Sequence, residues 1–237
     1  MQILTSVLFF LVFASQAFSA NPITHIYLTE QWLQFNSTFT EKQASAFIVG
    51  NLYPDIEYLE TTKIAETHLL NVTLDDIDKA PDAFTAGVLL HSYVDEQRDD
   101  IIAVSNIYNC FQEVASSGHL DTLLKLVEDE MIYDKIDVLA TFNALQKFPL
   151  QEKKQGLTMQ DLQEWHLFLS LYISVRPSDI IKYLADTNET LLDVPAETVK
   201  LWNKHFIAFT QKPEVKAYVE ELTQNFSNEF ELHSLLN

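Results

Sequence analysis

Glycine, cysteine and positive charge are all scarce in this chain. Four glycines in 237 residues leave no Gly-rich loop of the kind that cradles phosphate on backbone amides, and they argue against a turn-rich all-β fold. Cys110 is the single cysteine, so no internal disulfide can form and the fold must be held by its core, by bound metal, or by both. Lys and Arg number 15 against 34 Asp and Glu, a formal net charge of −19. Nothing basic is clustered, so double-stranded nucleic acid is excluded as a partner: it would be repelled. An acidic surface suits an exported protein and a site that concentrates divalent cations. Beyond the first twenty residues no apolar run approaches the roughly 18 residues of a membrane span.

Those first residues, "MQILTSVLFFLVFASQAFSA", carry no charged side chain. Ile3 to Phe13 has the length of a signal-peptide core, and Ala17 and Ser19 fit the small positions before a cleavage site. The expectation is a signal peptide over 1–19, a mature terminus at Ala20, with cleavage after Ala20 the near alternative, and a secreted or periplasmic domain over 20–237. An uncleaved N-terminal anchor is the alternative.

What is present is helical punctuation. Asn21 and Pro22 suit a helix N-cap and first turn, and Ile23, Ile26, Tyr27 and Leu33 follow at helical spacing. A second helix is expected from Thr40 to Gly50, then a loop holding Pro54-Asp55. Ala83 to Val94 reads as a buried helix. From 100 to 146 the helical pattern breaks near Ser116-Ser117-Gly118 and Tyr133-Asp134. "FPLQEKKQG" (148–156) is linker-like, and four capped amphipathic stretches follow. The reading is a compact, multi-helix, all-α domain of nine to eleven helices, with 145–237 as a possible helical subdomain.

Seven histidines occur. His91 lies between Leu90 and Tyr93-Val94, where an imidazole is expected to be buried and needs partners on both nitrogens. Asp95, four residues on, shares its helical face. The pair can hydrogen-bond together or ligate one ion. Asp55 sits among apolar residues in "FIVGNLYPDI", and an isolated buried carboxylate is costly, so it too needs a cation or donors. Imidazole nitrogens with carboxylate oxygens form a zinc site without cysteine. His166 and His205 read as core or surface residues.

The ordered segments "PITH", "FIVGNLYPDI", "ETHLL" and "AFTAGVLLHSYVD" resemble the zinc-dependent phospholipase C superfamily, which includes single-strand-specific zinc nucleases. The resemblance covers about residues 20–100. It implies an all-α fold with up to three zinc ions in a cleft. Asp55, His68, His91 and Asp95 match the ligands of one zinc. His25 matches the early histidine that, with a bridging Asp95 and the amine and carbonyl of the mature N-terminus (here Ala20), binds another. The implied activity is hydrolysis of a phospholipid head-group phosphate ester by zinc-activated water, with peripheral membrane contact and Asp55 as a candidate general base. A nuclease acting on single strands is the second reading, with Trp32, Tyr53, Tyr58 and Tyr93 available for stacking. A non-catalytic zinc-binding member is the third, and a metal-free helical protein the fourth. The chain departs from the family after Asp95. "EQRDDII" supplies no further histidine, and no later His-x-x-x-carboxylate pair exists. Asp99, Asp100, His119 and Glu128 are the substitutes on offer.

Overall fold

A computed structural model describes residues 21–35, 38–58, 67–154, 156–191 and 194–236. The expected signal peptide and Ala20 lie outside these residues. The described residues form ten α-helices: α1 (Pro22–Phe35), α2 (Glu41–Leu52), α3 (Leu74–Asp78), α4 (Ala83–Ser105), α5 (Leu120–Ile132), α6 (Val138–Leu145), α7 (Met159–Tyr172), α8 (Pro177–Thr187), α9 (Ala196–Gln211) and α10 (Pro213–Leu236). Four 3-10 segments join them, at Pro54–Tyr58, Ile107–Ser117, Tyr133–Lys135 and Glu152–Lys154. The only strand-like pairing among the described residues is an isolated bridge between Leu191 and Val194. The all-α expectation holds.

Local sequence explains the ends. Pro22 opens α1, where its missing N–H costs nothing. Thr40 and Gln43 form a capping box that starts α2, and Asp82 caps α4 by accepting from the Thr85 amide. α4 ends at Asn106, in the left-handed conformation with φ 54°. The breaks expected near Ser116–Gly118 and Tyr133–Asp134 fall at 3-10 segments.

Two expectations are corrected. α2 runs to Leu52, past Gly50, because this glycine is a packing position and not a terminator. A Cβ at Gly50 would strike the Phe84 carbonyl of α4, and one at Gly87 would strike the Phe47 carbonyl of α2. The two helices therefore cross backbone against backbone. Asp55 lies in a 3-10 turn directly after α2, and not in an open loop.

The linker-like stretch folds inward. Glu152 is fully buried against His166 of α7. Trp165, Tyr172 and Tyr218 reach back to Leu52, Asp129 and Glu128. Residues after 145 thus contribute to the same apolar core as α1, α2 and α4. No helix among the described residues is long and apolar enough to cross a membrane.

Candidate metal centre

The α2–α4 crossing sets the site. At the C-terminus of α2 the last carbonyls lack partners within the helix. Here side chains from elsewhere supply the donors. His91 donates its Nδ1–H to the Asn51 carbonyl at 2.7 Å, and Trp165 donates its indole N–H to the Leu52 carbonyl at 3.0 Å. In the turn that follows, Thr67 donates its hydroxyl to the Pro54 carbonyl at 2.9 Å. With its proton so committed, the Thr67 oxygen accepts from His68 Nδ1–H at 3.2 Å.

These bonds fix the tautomers. A carbonyl can only accept, so His91 carries a proton on Nδ1 and turns Nε2 inward; Thr67 does the same for His68. The two Nε2 atoms stand 3.0 Å apart. Asp95 Oδ2 lies 3.1 Å from His91 Nε2 and 3.5 Å from His68 Nε2, while Asp55 Oδ1 lies 3.6 Å and 3.7 Å from the same two atoms. Ligand atoms placed tetrahedrally at the zinc–nitrogen distance of about 2.0–2.1 Å stand about 3.3–3.4 Å from one another. The observed separations straddle that value. Two groups of three can each hold a metal ion: Asp55, His68 and His91, and His25, His91 and Asp95.

A second group shares Asp95. Its Oδ1 lies 3.2 Å from His25 Nε2, and the His25 ring stacks on His91 with centroids 4.0 Å apart. His25 is fully buried, Asp95 is the polar partner of its Nε2, and its Nδ1 makes no hydrogen bond. An unpaired imidazole nitrogen in the core is costly, and a buried imidazole facing a carboxylate is a pairing that would suit a metal ion as well as a proton. The amine and carbonyl expected from Ala20 lie outside the described residues. What holds His25 in place is Asp129 of α5. Its carboxylate accepts from the Thr24 amide and hydroxyl at 2.9 and 2.8 Å, and from the Tyr172 hydroxyl at 2.9 Å. Asp129 thereby caps the first amides of α1, which have no partner within the helix, from another helix. Burial pushes its carboxyl up to about 7, against the pull of the Thr24 and Tyr172 donors.

The electrostatics favour a cation. Burial would raise Asp95, but His91 and His25 hold it well below the usual carboxylate range. Asp55 is also lowered, its burial outweighed by His91 and His68. A carboxylate so reluctant to take a proton suits a metal ligand better than a general base. His25 is lowered by burial and by neighbouring His91. Burial would lower His91 too, yet Asp95 and Asp55 lift it to about 9.

The structure brings His25, Asp55, His68, His91 and Asp95 together and leaves the four offered substitutes out. Asp99 and Asp100 are exposed, and His119 sits at the start of α5 in the left-handed conformation. Glu128 is fully buried but committed: Arg98 Nε donates to it at 2.9 Å and the Tyr218 hydroxyl at 2.7 Å. Of the aromatics proposed for stacking on bases, Trp32, Tyr53 and Tyr93 are buried in the core, and the Tyr58 side chain lies outside what is described. His166 is a core residue, donating Nδ1–H to the Leu145 carbonyl.

Sequence reasoning missed Thr67, Asn51, Trp165 and Asp129. Thr67 directly precedes His68, and that adjacency was its only local signal. Comparison with protein-family models, curated proteins and solved structures finds no match for this chain.

Proposed function

We propose that this chain is a zinc-dependent phosphodiesterase of phospholipase C type. The observation that carries the reading is the convergence of ligand atoms on Asp55, His68, His91 and Asp95, five of whose pairs stand 3.0–3.7 Å apart. Two carboxylates offset the charge of a divalent ion, and two neutral imidazoles add nitrogen donors, water entering as a fifth ligand on the exposed His68 side. Zinc held there would lower the pKa of bound water and polarise a phosphoryl oxygen. The chain's own residues do the rest. Thr67 and the Asn51 carbonyl keep both imidazoles oriented. Asp95 presents one oxygen to each group of ligands. Asp129 keeps α1, and with it His25, against the cluster. Only His68 among the ligands is appreciably exposed, with 26% of its side chain accessible, so a phosphate ester approaches along that side.

The test is turnover of phosphatidylcholine and other phospholipids by the purified protein, with and without zinc. Zinc-dependent release of the phosphorylated head group is expected. A lack of zinc-dependent turnover on every phosphodiester tried, single-stranded RNA and DNA included, overturns the reading.

A second reading is a zinc-binding module without catalysis. Four protein donors around one ion make the closed arrangement of a structural zinc, and Glu128 is taken by Arg98. One tightly held zinc per chain, with no turnover, is its signature.

A further inference from the structure

α4 and α10 leave a groove of about 220 Å³ between them, away from the metal ligands. Buried Phe226 of α10 forms its base, and Ile101 and Val104 of α4 add apolar wall. Three exposed carboxylates stand around this apolar surface: Asp100 from α4, Glu221 and Glu229 from α10. Among the described residues no lysine, arginine or histidine lines the groove. Tyr93 holds Glu229 in place. Its ring meets Phe226 edge to face, and its hydroxyl donates to Glu229 Oε2 at 2.7 Å.

Spacing narrows the ligand. Glu221, Asn225 and Glu229 recur every four residues and share one stripe of α10. At 1.5 Å of rise per residue the two glutamates are about 12 Å apart along the axis. Carboxylates so far apart do not share one metal ion. Among the described residues the groups close enough to do so are the His/Asp sets of the metal centre. Two separated negative ends above an apolar base match a ligand with separated positive ends and hydrocarbon between them.

We propose that the groove binds a linear aliphatic polyamine. A triamine with spacers of three and four carbons has nine bonds between its end nitrogens. At about 1.2 Å per bond in an extended chain it spans about 11 Å. Its terminal ammonium groups pair with Glu221 and Glu229, and its central amine faces Asn225 and Asp100. Its methylenes lie on Phe226 and Ile101, out of water. The net charge of −19 raises the local concentration of such a polycation. The proposal does not depend on the phosphodiesterase reading, since no metal ligand lines the groove.

The experiment is calorimetric titration of the full chain with spermidine at about 150 mM salt, where diffuse attraction between exposed charges is largely screened. One saturable site per chain is expected, filled about tenfold more weakly by the shorter diamine putrescine. Glu221→Gln/Glu229→Gln keeps the shape of both side chains and an acceptor for Tyr93. It is expected to weaken spermidine about tenfold. Glu220→Gln/Glu231→Gln removes the same charge from exposed positions of α10 outside the groove and should bind as wild type does. Absence of a saturable site, or equal weakening in the two double variants, overturns the inference. So does displacement of spermidine by an equal concentration of magnesium. An oligolysine peptide that binds more tightly through the same two glutamates overturns it in favour of a basic protein segment.

Discussion

His91 Nε2 stands 3.0 Å from His68 Nε2, and in the neutral tautomers set by Asn51 and Thr67 both atoms turn a lone pair toward the same point. Two lone pairs at that distance repel unless something positive lies between or beside them. A metal ion is one solution. A proton on His91, shared toward Asp95, is the other, and the carboxylates of Asp95 and Asp55, which outweigh burial and lift the imidazole to about 9, favour that form in the metal-free chain.

The first prediction concerns this competition. The proton on His91 must leave before a metal can take Nε2. Apparent zinc affinity should therefore climb about tenfold per pH unit below the His91 value and level off above it. Calorimetric titration in buffers of different ionisation enthalpy should read about one proton released per zinc near neutrality. Stability of the metal-free fold follows a different sign. The raised His91 contributes stability that is complete below its unfolded value of 6.5 and is lost as pH rises through about 9. The lowered Asp55 and Asp95 contribute stability present above 3.8 and lost as pH falls through their depressed values. Thermal melts of the chelator-treated chain should peak between these limits, and zinc should raise the melting temperature most on the alkaline side.

The second prediction separates the two groups of ligands. His91→Ala removes an atom of the four-donor site and should abolish tight zinc binding. His25→Ala touches only the group bridged by Asp95 and should leave one zinc per chain. Thr67→Val keeps every ligand but frees the His68 ring to turn, so zinc affinity should fall about 10- to 100-fold. Metal analysis after dialysis, followed by competition with a chromogenic chelator, measures all three. Undiminished affinity in Thr67→Val would show that the hydroxyl does not orient His68.

Most of the His/Asp cluster was legible because its signals are local. His91 and Asp95 share a helical face four residues apart, and Asp55 follows a proline among apolar neighbours. The supporting partners were not legible, because they depend on how helices cross. Nothing in "FIVGNL" says that the Asn51 carbonyl will meet an imidazole 40 residues away. Glu128 misleads in the other direction. By sequence it is an available carboxylate; in the fold Arg98, 30 residues earlier, has claimed it. The aromatics misled in the same manner, since Trp32, Tyr53 and Tyr93 turn out to be core.

The third prediction tests the crossing. Gly87→Ala puts a Cβ into the Phe47 carbonyl, and Gly50→Ala puts one into the Phe84 carbonyl. Neither obstacle is a flexible side-chain tip, so the helices must move apart. Each substitution should cost about 3 kcal/mol in urea unfolding, more than any gain in helix propensity returns. Because separation of α2 from α4 also pulls the Asn51 carbonyl from His91, zinc affinity should fall together with stability.

The fourth prediction asks whether Arg98 serves the fold or the chemistry. It lies one helical turn beyond Asp95 and is almost fully buried, with Glu128 at Nε and Asp121 3.5 Å from Nη1. Burial would lower it, but Glu128 outweighs that and keeps the guanidinium charged. If the pair is structural, Arg98→Met strands a buried carboxylate with only the Tyr218 hydroxyl as a strong donor, and stability should drop by about 3–5 kcal/mol. Replacing both partners, Arg98→Met with Glu128→Leu, removes the stranded charge and should recover most of that loss. Zinc content should stay at the wild-type level in the double variant, since neither side chain belongs to the four-donor site. Denaturant unfolding of the three variants decides the matter. A double variant as stable as wild type, fully loaded with zinc yet without turnover, would move Arg98 from the scaffold to the substrate.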